Sequence, residues 1–279
     1  MSSAAYIDIL QTLSDILCIQ EHHLYYEHSS FLTTLNSDFT GLVIVCDENN
    51  ALSNIRLRKG GLAILWHKSL DYCISRVTLP VQSDRFMAIR IEPHDSKPIF
   101  VINVYMPSTN MTVDAYRECI SELTIILEWA SALGTCVTCG DFNGQLVSTR
   151  GSRAGANANV RGAILNELLS DNNMYSTVAH ESCIGPWYTW LASDTSVMPS
   201  QLDHFIMYEE SEGLCKQCYV HEDNCLNTSD HYPVTLVLMC DVIRRNPGKP
   251  PHGIIGLNVI PVCIHSILAT VLEIWILYY

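Results

Sequence analysis

Thr135-Cys136-Val137-Thr138-Cys139 runs directly into Gly140-Asp141-Phe142-Asn143, and Gly144, Gln145 and a Gly/Ser/Arg loop follow at once. A β-prone, apolar-leaning run bounded by such a loop reads as a buried strand. A buried strand ending in Gly-Asp-x-Asn carries one carboxylate and one carboxamide to the lip of a sheet. There they can share a metal, a water or a phosphate. Asp141 is therefore a candidate for activating water, and Asn143 for hydrogen-bonding a phosphate oxygen. Asp-x-Asn is also ordinary turn chemistry, so the reading depends on what the other strand ends carry.

Upstream, residues 113–133 place Tyr116, Ile120, Leu123, Ile126, Leu127 and Ala130 on one side of an amphipathic helix. Residues 98–105 form a strong strand stopped by Pro107, and shorter apolar runs at 16–21, 42–46, 60–66 and 86–91 read as further strands. A helical stripe covers residues 6–16. Downstream come a helix over 163–169 and strands at 187–191, 201–207 and 235–238. Strands with a few helices between them predict two mixed sheets packed face to face with helices outside, a four-layered α/β sandwich.

The 279 residues carry a net charge of −13, with 16% charged and 48% apolar side chains. Such a chain folds rather than staying disordered. The acidic balance argues against tight, purely electrostatic DNA binding. A nuclease tolerates it when its contacts are few and a cation sits in the site. Residues 1–17 lack the basic start and apolar core of a signal peptide. The twelve cysteines lie mostly in apolar runs and read as reduced thiols of an intracellular protein, nuclear or cytoplasmic. Cys136-x-x-Cys139 has zinc spacing, but residues three apart on a strand point to opposite faces. Cys215-x-x-Cys218-x-x-His221, with Cys225, has gaps unlike the common zinc spacings.

The character changes after Cys240. Residues 241–253 read as a Pro/Gly linker, and 254–279 as a hydrophobic tail with Glu273 its only formal charge. The tail is long enough to span a bilayer, which takes about 20 apolar residues. Arg244, Arg245 and Lys249 before it suit a cytoplasmic flank. A tail anchor is thus one expectation. An appended segment, dispensable to a domain over residues 1–240, is the other.

Four more strand ends carry polar residues of a matching kind: Glu21, Tyr105, Asp203, and Asp230-His231. Singly each is ordinary, a solvated acid, an aromatic cap or a turn. Jointly they supply what phosphodiester hydrolysis needs, namely carboxylates for a hard cation, a base for water, and a His with an acid partner.

In order, Leu17-Cys18-Ile19-Gln20-Glu21-His22-His23, Gly60-Gly61-Leu62-Ala63-Ile64, Asp84-Arg85-Phe86, Asn103-Val104-Tyr105-Met106-Pro107 and Gly140-Asp141-Phe142-Asn143 make a series. It continues with Arg161-Gly162, Tyr188-Thr189-Trp190, Ser200-Gln201-Leu202-Asp203-His204 and Ser229-Asp230-His231-Tyr232-Pro233. The series resembles the endonuclease/exonuclease/phosphatase superfamily, the deoxyribonuclease-I-like fold. It is most similar to the endonuclease domain of LINE-type non-LTR retrotransposons, a class of transposable element.

The resemblance implies a Mg²⁺ site, with Mn²⁺ as a substitute, held by Glu21, Asp141 and Asp230. It implies DNA as the partner and no small-molecule cofactor. Tyr105 would touch the scissile phosphate, Asp141 would take the proton of the attacking water, and Asn143 would place both. His231, oriented by Asp203, would hydrogen-bond the developing charge. Thr189, Trp190, Ser193 and Ser200 would belong to a loop, Leu191 to Pro199 at its core, that looks into a DNA groove.

Members of the family open with a strand carrying an Asn at the metal site. Here only twenty residues precede Glu21, and a helix and its strand use them up. The first strand is therefore expected to be missing, with one metal ligand lost and a central strand left unpaired. The rival expectations are a catalytically inactive remnant that binds DNA or protein weakly, and a phosphoinositide or sphingomyelin hydrolase.

Overall fold

The computed structural model describes residues 3–45, 60–148, 150, 158–244 and 252–263. Among the described residues there are twelve strands and four α-helices. They are α1 (Ser3–Leu13), β1 (Ile16–Gln20), α2 (Phe31–Thr34), β2 (Phe39–Ile44), β3 (Leu62–His67), β4 (Ile74–Arg76), β5 (Phe86–Ile91) and β6 (Ile99–Tyr105). Then come α3 (Val113–Ser131), β7 (Thr135–Asp141), α4 (Val160–Asp171), β8 (Met174–Ser176), β9 (Asp203–Tyr208), β10 (Cys215–Val220), β11 (Val234–Arg244) and β12 (His252–Cys263). One six-stranded sheet has the order β10-β11-β12-β1-β3-β2, the other β4-β5-β6-β7-β9-β8.

Side-chain alternation sorts each strand between two cores. Ile16, Cys18, Ile64, Ile89, Val101, Val137 and Phe205 meet in the layer between the sheets. On the far side of the second sheet, Phe100, Ile102 and Cys136 pack against Tyr116, Leu123 and Leu127 of α3 and Leu165 of α4. On the far side of the first, Leu17, Ile19 and Leu65 pack against Tyr6, Ile7 and Leu10 of α1. This is the four-layered α/β sandwich expected from the pattern. Because both faces of the central strands are buried, their sequences are continuous apolar runs rather than alternating ones. Cys136 and Cys139 lie in different cores, as the strand period requires.

The C-terminal part departs from expectation. β11 continues to Arg244, so the boundary drawn at residue 240 falls inside a strand. Part of the expected linker and the start of the expected tail form β12, which runs parallel to β1 (Ile16↔Val259 to Gln20↔Cys263) and antiparallel to β11 (Leu236↔Val259). Leu257 and Val259 face the inter-sheet core, while Ile260 and Val262 face α1. The sequence reads as a tail here because burial on both faces leaves no alternation, and Pro261 argues against a central strand. Among the described residues β1 is paired on both sides, by β12 and by β3. The expected unpaired edge is filled from the C-terminus.

Among the described residues no helix is long and apolar enough to cross a membrane. Residues 264–279, the rest of the expected span, lie outside the described residues.

Deleting residues 252–279 should therefore strip the ladder partner from both β1 and β11 in mid-sheet. The expected outcome is loss of cooperative thermal unfolding and aggregation on purification, seen by calorimetry and size exclusion. A soluble, cooperatively folding deletion would show that β12 is dispensable.

Candidate active site

Three neighbouring strands of the second sheet end in one row. Tyr105 of β6 pairs with Asp141 of β7, and Asp141 pairs with Asp203 of β9. Gly140 makes the row possible: its φ is +132°, and a Cβ there would stand 2.1 Å from the Val104 carbonyl oxygen. Glu21 follows β1 of the other sheet with φ +54°. The Tyr105 hydroxyl donates to Glu21 Oε1 across the sheets. Beneath this pair, Gln20 Nε2 donates to Asn103 Oδ1 at 2.5 Å. Asn103 Nδ2 in turn donates to the Ile19 and Ala63 carbonyls at 3.1 and 3.0 Å.

Asp141 is 2% exposed, and both its oxygens are engaged by Asn143. Oδ1 accepts the Asn143 backbone N–H and Oδ2 its side-chain amide, each at 2.8 Å. The same amide reaches the Met106 carbonyl at 3.0 Å. Burial raises the Asp141 carboxyl to about 7, helped by the Asp203 and Glu21 charges and opposed by His231. His231 Nδ1 donates to Asp203 Oδ2 at 2.8 Å. Burial alone would lower its pKa, but the Asp203 charge and hydrogen bond, with Asp141 and Asp230 nearby, lift it to about 9. Trp190 Nε1 donates to Asp230 Oδ2 at 2.8 Å.

Glu21, Tyr105, Asp141, Asn143, Trp190, Ser200, Asp230 and His231 line one cavity of about 500 Å³. Asp203 is buried behind His231. Trp190 and Ser200 pair as an antiparallel bridge, and Trp190 also bridges to His231. The segment 191–199 is thus a loop closed at its base beside the cavity, with Ser193 exposed on it.

Thr189 departs from its expected place in a DNA-facing loop. It is fully buried, and its hydroxyl oxygen accepts the N–H groups of Leu202 and Asp203, both at 3.0 Å. It supports the start of β9 rather than reaching a ligand.

His23, Ser108, Thr109, Asn110 and Asn159 line the same cavity and were not singled out from the sequence. Asn159 is the N-cap of α4, its side chain accepting from Gly162 N at 2.7 Å, and Asn-x-x before a helix was its readable signal. Arg161, the second residue of α4, holds the 108–111 wall by donating to the Ser108 and Met111 carbonyls at 2.9 and 2.7 Å.

Among the described residues no three His, Cys, Asp or Glu side chains already form a metal cage. The Cys215, Cys218 and His221 set is likewise not gathered: His221 bonds Thr235 at 2.7 Å, and Cys218 meets Cys183 instead. At the cavity the carboxylate oxygens of Glu21, Asp141 and Asp230 stand as the acidic donors, with the His23 and His231 imidazoles on the same wall. Three carboxylates fit a hard divalent cation.

A row of acids with a His–Asp pair stands at one end of two packed sheets. The sequence profile described as the Endonuclease/Exonuclease/phosphatase family matches residues 2–231, and the chain belongs to that family. No curated protein sequence matches the chain. Solved structures share the fold. An AP endonuclease from Leishmania major is 15% identical with TM-score 0.62, covering 84% of this chain and 81% of its own. The endonuclease domain of TRAS1, a telomere-specific non-LTR retrotransposon, is 17% identical with TM-score 0.55, covering 83% and 89%. A 3′ phosphatase from Neisseria, bound to product DNA hairpin, is 18% identical with TM-score 0.58, covering 84% and 95%. The chain is by ancestry a hydrolase of this family.

Replacing Thr189 by Val keeps the volume but leaves two buried N–H groups without their acceptor. The expected loss of unfolding free energy is about 2 kcal/mol, measured by urea titration. A change near zero would show that the hydroxyl does not carry the start of β9.

His204 lies on β9 beside Asp203 and is buried, its Nε2 against the Gly144 carbonyl at 3.0 Å and its Nδ1 against Ser176 Oγ at 2.9 Å. Burial lowers its pKa to about 4. A lowered folded-state value stabilises the fold above the unfolded value near 6.5, and that contribution is lost as pH falls toward 4. The stability gap between the protein and His204→Gln should therefore narrow by about 3 kcal/mol from pH 7 to pH 4. A gap independent of pH would contradict the neutral, buried imidazole.

Proposed function

We propose that the chain is a Mg²⁺-dependent endonuclease of retrotransposon type that hydrolyses phosphodiester bonds in DNA. The observation that carries this reading is the gathering of Glu21–Tyr105, Asp141–Asn143 and His231–Asp203 around one cavity. Similarity to the TRAS1 endonuclease domain and to a Neisseria phosphatase bound to product DNA supports the substrate class.

Glu21 and Asp230, with Asp141, would hold the cation. When bound, Mg²⁺ would polarise a phosphoryl oxygen and offset the charge of the phosphate. Asp141 would accept the proton of the attacking water at its carboxylate, and a buried acid raised to about 7 is suited to that exchange. Asn143 would hold the Asp141 carboxylate in place and hydrogen-bond a phosphate oxygen. His231, kept protonated by Asp203, would donate to the oxygen on which charge develops. Tyr105 would orient Glu21 and contact the phosphate. A net charge of −13 makes the cation part of DNA recognition as well as of chemistry.

One observation favours the reading as a non-catalytic remnant. The strand beside β1 brings Cys263 opposite Gln20, while Asn258 lies at the far end, its N–H donating to Asp15 Oδ2 at 2.9 Å. Among the described residues β12 thus supplies no carboxamide next to Glu21.

Purified protein should nick supercoiled plasmid with Mg²⁺ and stop on addition of EDTA. Asp141→Ala and His231→Ala should each lower the rate by at least about a hundredfold without abolishing cooperative unfolding. Nicking that survives either change would remove the assignment, and no nicking by the parent protein would leave the remnant. Replacing residues 191–199 by a short Gly/Ser turn should redistribute cleavage positions more than it changes the rate, because a groove-facing loop reads shape. An unchanged cleavage map would show that the loop only closes a hairpin.

A further inference from the structure

Cys183 and Cys218 lie away from the cavity, and the nuclease chemistry uses neither. Their sulfurs are 3.6 Å apart, and the residues are 5% and 2% exposed. Ile184 forms a parallel bridge with Tyr219 of β10, fixed by Ile184 N–H to the Cys218 carbonyl at 3.0 Å and Val220 N–H to the Ile184 carbonyl at 2.9 Å. Each cysteine stands one residue before its bridge partner, so the two are register neighbours on adjacent extended segments. Such neighbours are about 4.8 Å apart, inside the span a disulfide bridges. Both side chains enter the core between the sheets.

The surroundings favour reactivity at one sulfur of the two. The contact with Cys218 and the nearby Arg150 guanidinium hold the Cys183 thiol below its ordinary value, whereas burial holds Cys218 well above it. Cys183 is thus the nucleophile and Cys218 the proton-bearing partner. Arg150 also donates to the Val178 and Gly185 carbonyls at 3.1 and 2.9 Å, keeping the segment around Cys183 in place.

We propose that Cys183 and Cys218 form a dithiol that a small peroxide converts to an intramolecular disulfide, stapling the segment that leads to Thr189 and Trp190 onto β10. The Cys183 thiolate attacks one peroxide oxygen, the O–O bond breaks, and hydroxide leaves to take the proton released by the thiol. The Cys218 sulfur then attacks the resulting Cys183 sulfenic acid, and the S–O bond breaks with loss of water. Two thiols are oxidised and one hydrogen peroxide is reduced to two waters. The new bond closes a loop across 35 positions of sequence, which restricts the unfolded chain.

The test treats the purified, reduced full chain with hydrogen peroxide, alkylates it after denaturation, and maps peptides by mass spectrometry. The expected product is a single crosslinked peptide pair joining Cys183 to Cys218, with Tm raised by several degrees and both changes reversed by dithiothreitol. Cys215→Ser, which removes the partly exposed thiol on β10, should still form the crosslink. Cys183→Ala and Cys218→Ala, with folding checked by circular dichroism, should lose it. Two alkylated thiols after peroxide, over-oxidation of either to a sulfinic acid, or a crosslink through Cys215 instead would each overturn the proposal. None of these readouts depends on nuclease activity.

Discussion

The structure hangs on one buried carboxamide. Asn103 sits in β6 of one sheet and reaches into the other, donating to the carbonyls of Ile19 in β1 and Ala63 in β3 while accepting from Gln20. Apolar layers between sheets are slippery: Ile, Val and Leu contacts fix the distance but tolerate sliding, because their energy follows area rather than direction. Hydrogen bonds in a dry core do not tolerate it, since a displaced donor stays unsatisfied. The clamp therefore sets where β1 ends relative to β6. One residue beyond Gln20 is Glu21, two beyond Asn103 is Tyr105, and those two meet through the phenol.

From that alignment the electrostatics of the cavity follow. β-ladder register alone puts Tyr105, Asp141 and Asp203 in one row. The opposite sheet brings Glu21, and the segment before β11 brings Asp230 and His231. Four acids converge, and buried carboxylates at such density do not all ionise without compensation. Each finds a different relief. Asp203 has the His231 imidazolium, Asp141 has two Asn143 donors and a raised pKa, Glu21 has the Tyr105 hydroxyl, and Asp230 has the Trp190 indole. A hard divalent cation would add positive charge that, among the described residues, no Lys or Arg lining the cavity supplies.

Much of this was legible in the sequence because central strands buried on both faces write themselves as apolar runs. Asp141 and Tyr105 stand out simply as polar groups at the ends of such runs. The α3 stripe of Tyr116, Leu123 and Leu127 likewise faces its sheet as its period demands. What failed to show had physical reasons. The three-residue strands β4 and β8 are too short to carry a period. Thr189 looked like a loop residue because nothing local says that its hydroxyl holds two N–H groups a dozen residues away. β12 failed most plainly. A strand buried on both faces and a membrane-seeking tail have the same composition, and only the pairing with β1, some 240 residues earlier, tells them apart.

The alignment of the two sheets by the buried amide pair is best examined with a thermodynamic cycle on Gln20→Leu, Asn103→Leu and the double variant, using urea unfolding at neutral pH. Each single change leaves buried polar groups of its partner without a hydrogen bond, while the double change removes both side chains. The two losses should therefore be non-additive, with a coupling of at least about 1 kcal/mol. Additive losses would show that the two amides act independently and that apolar packing alone sets the register on which the site depends.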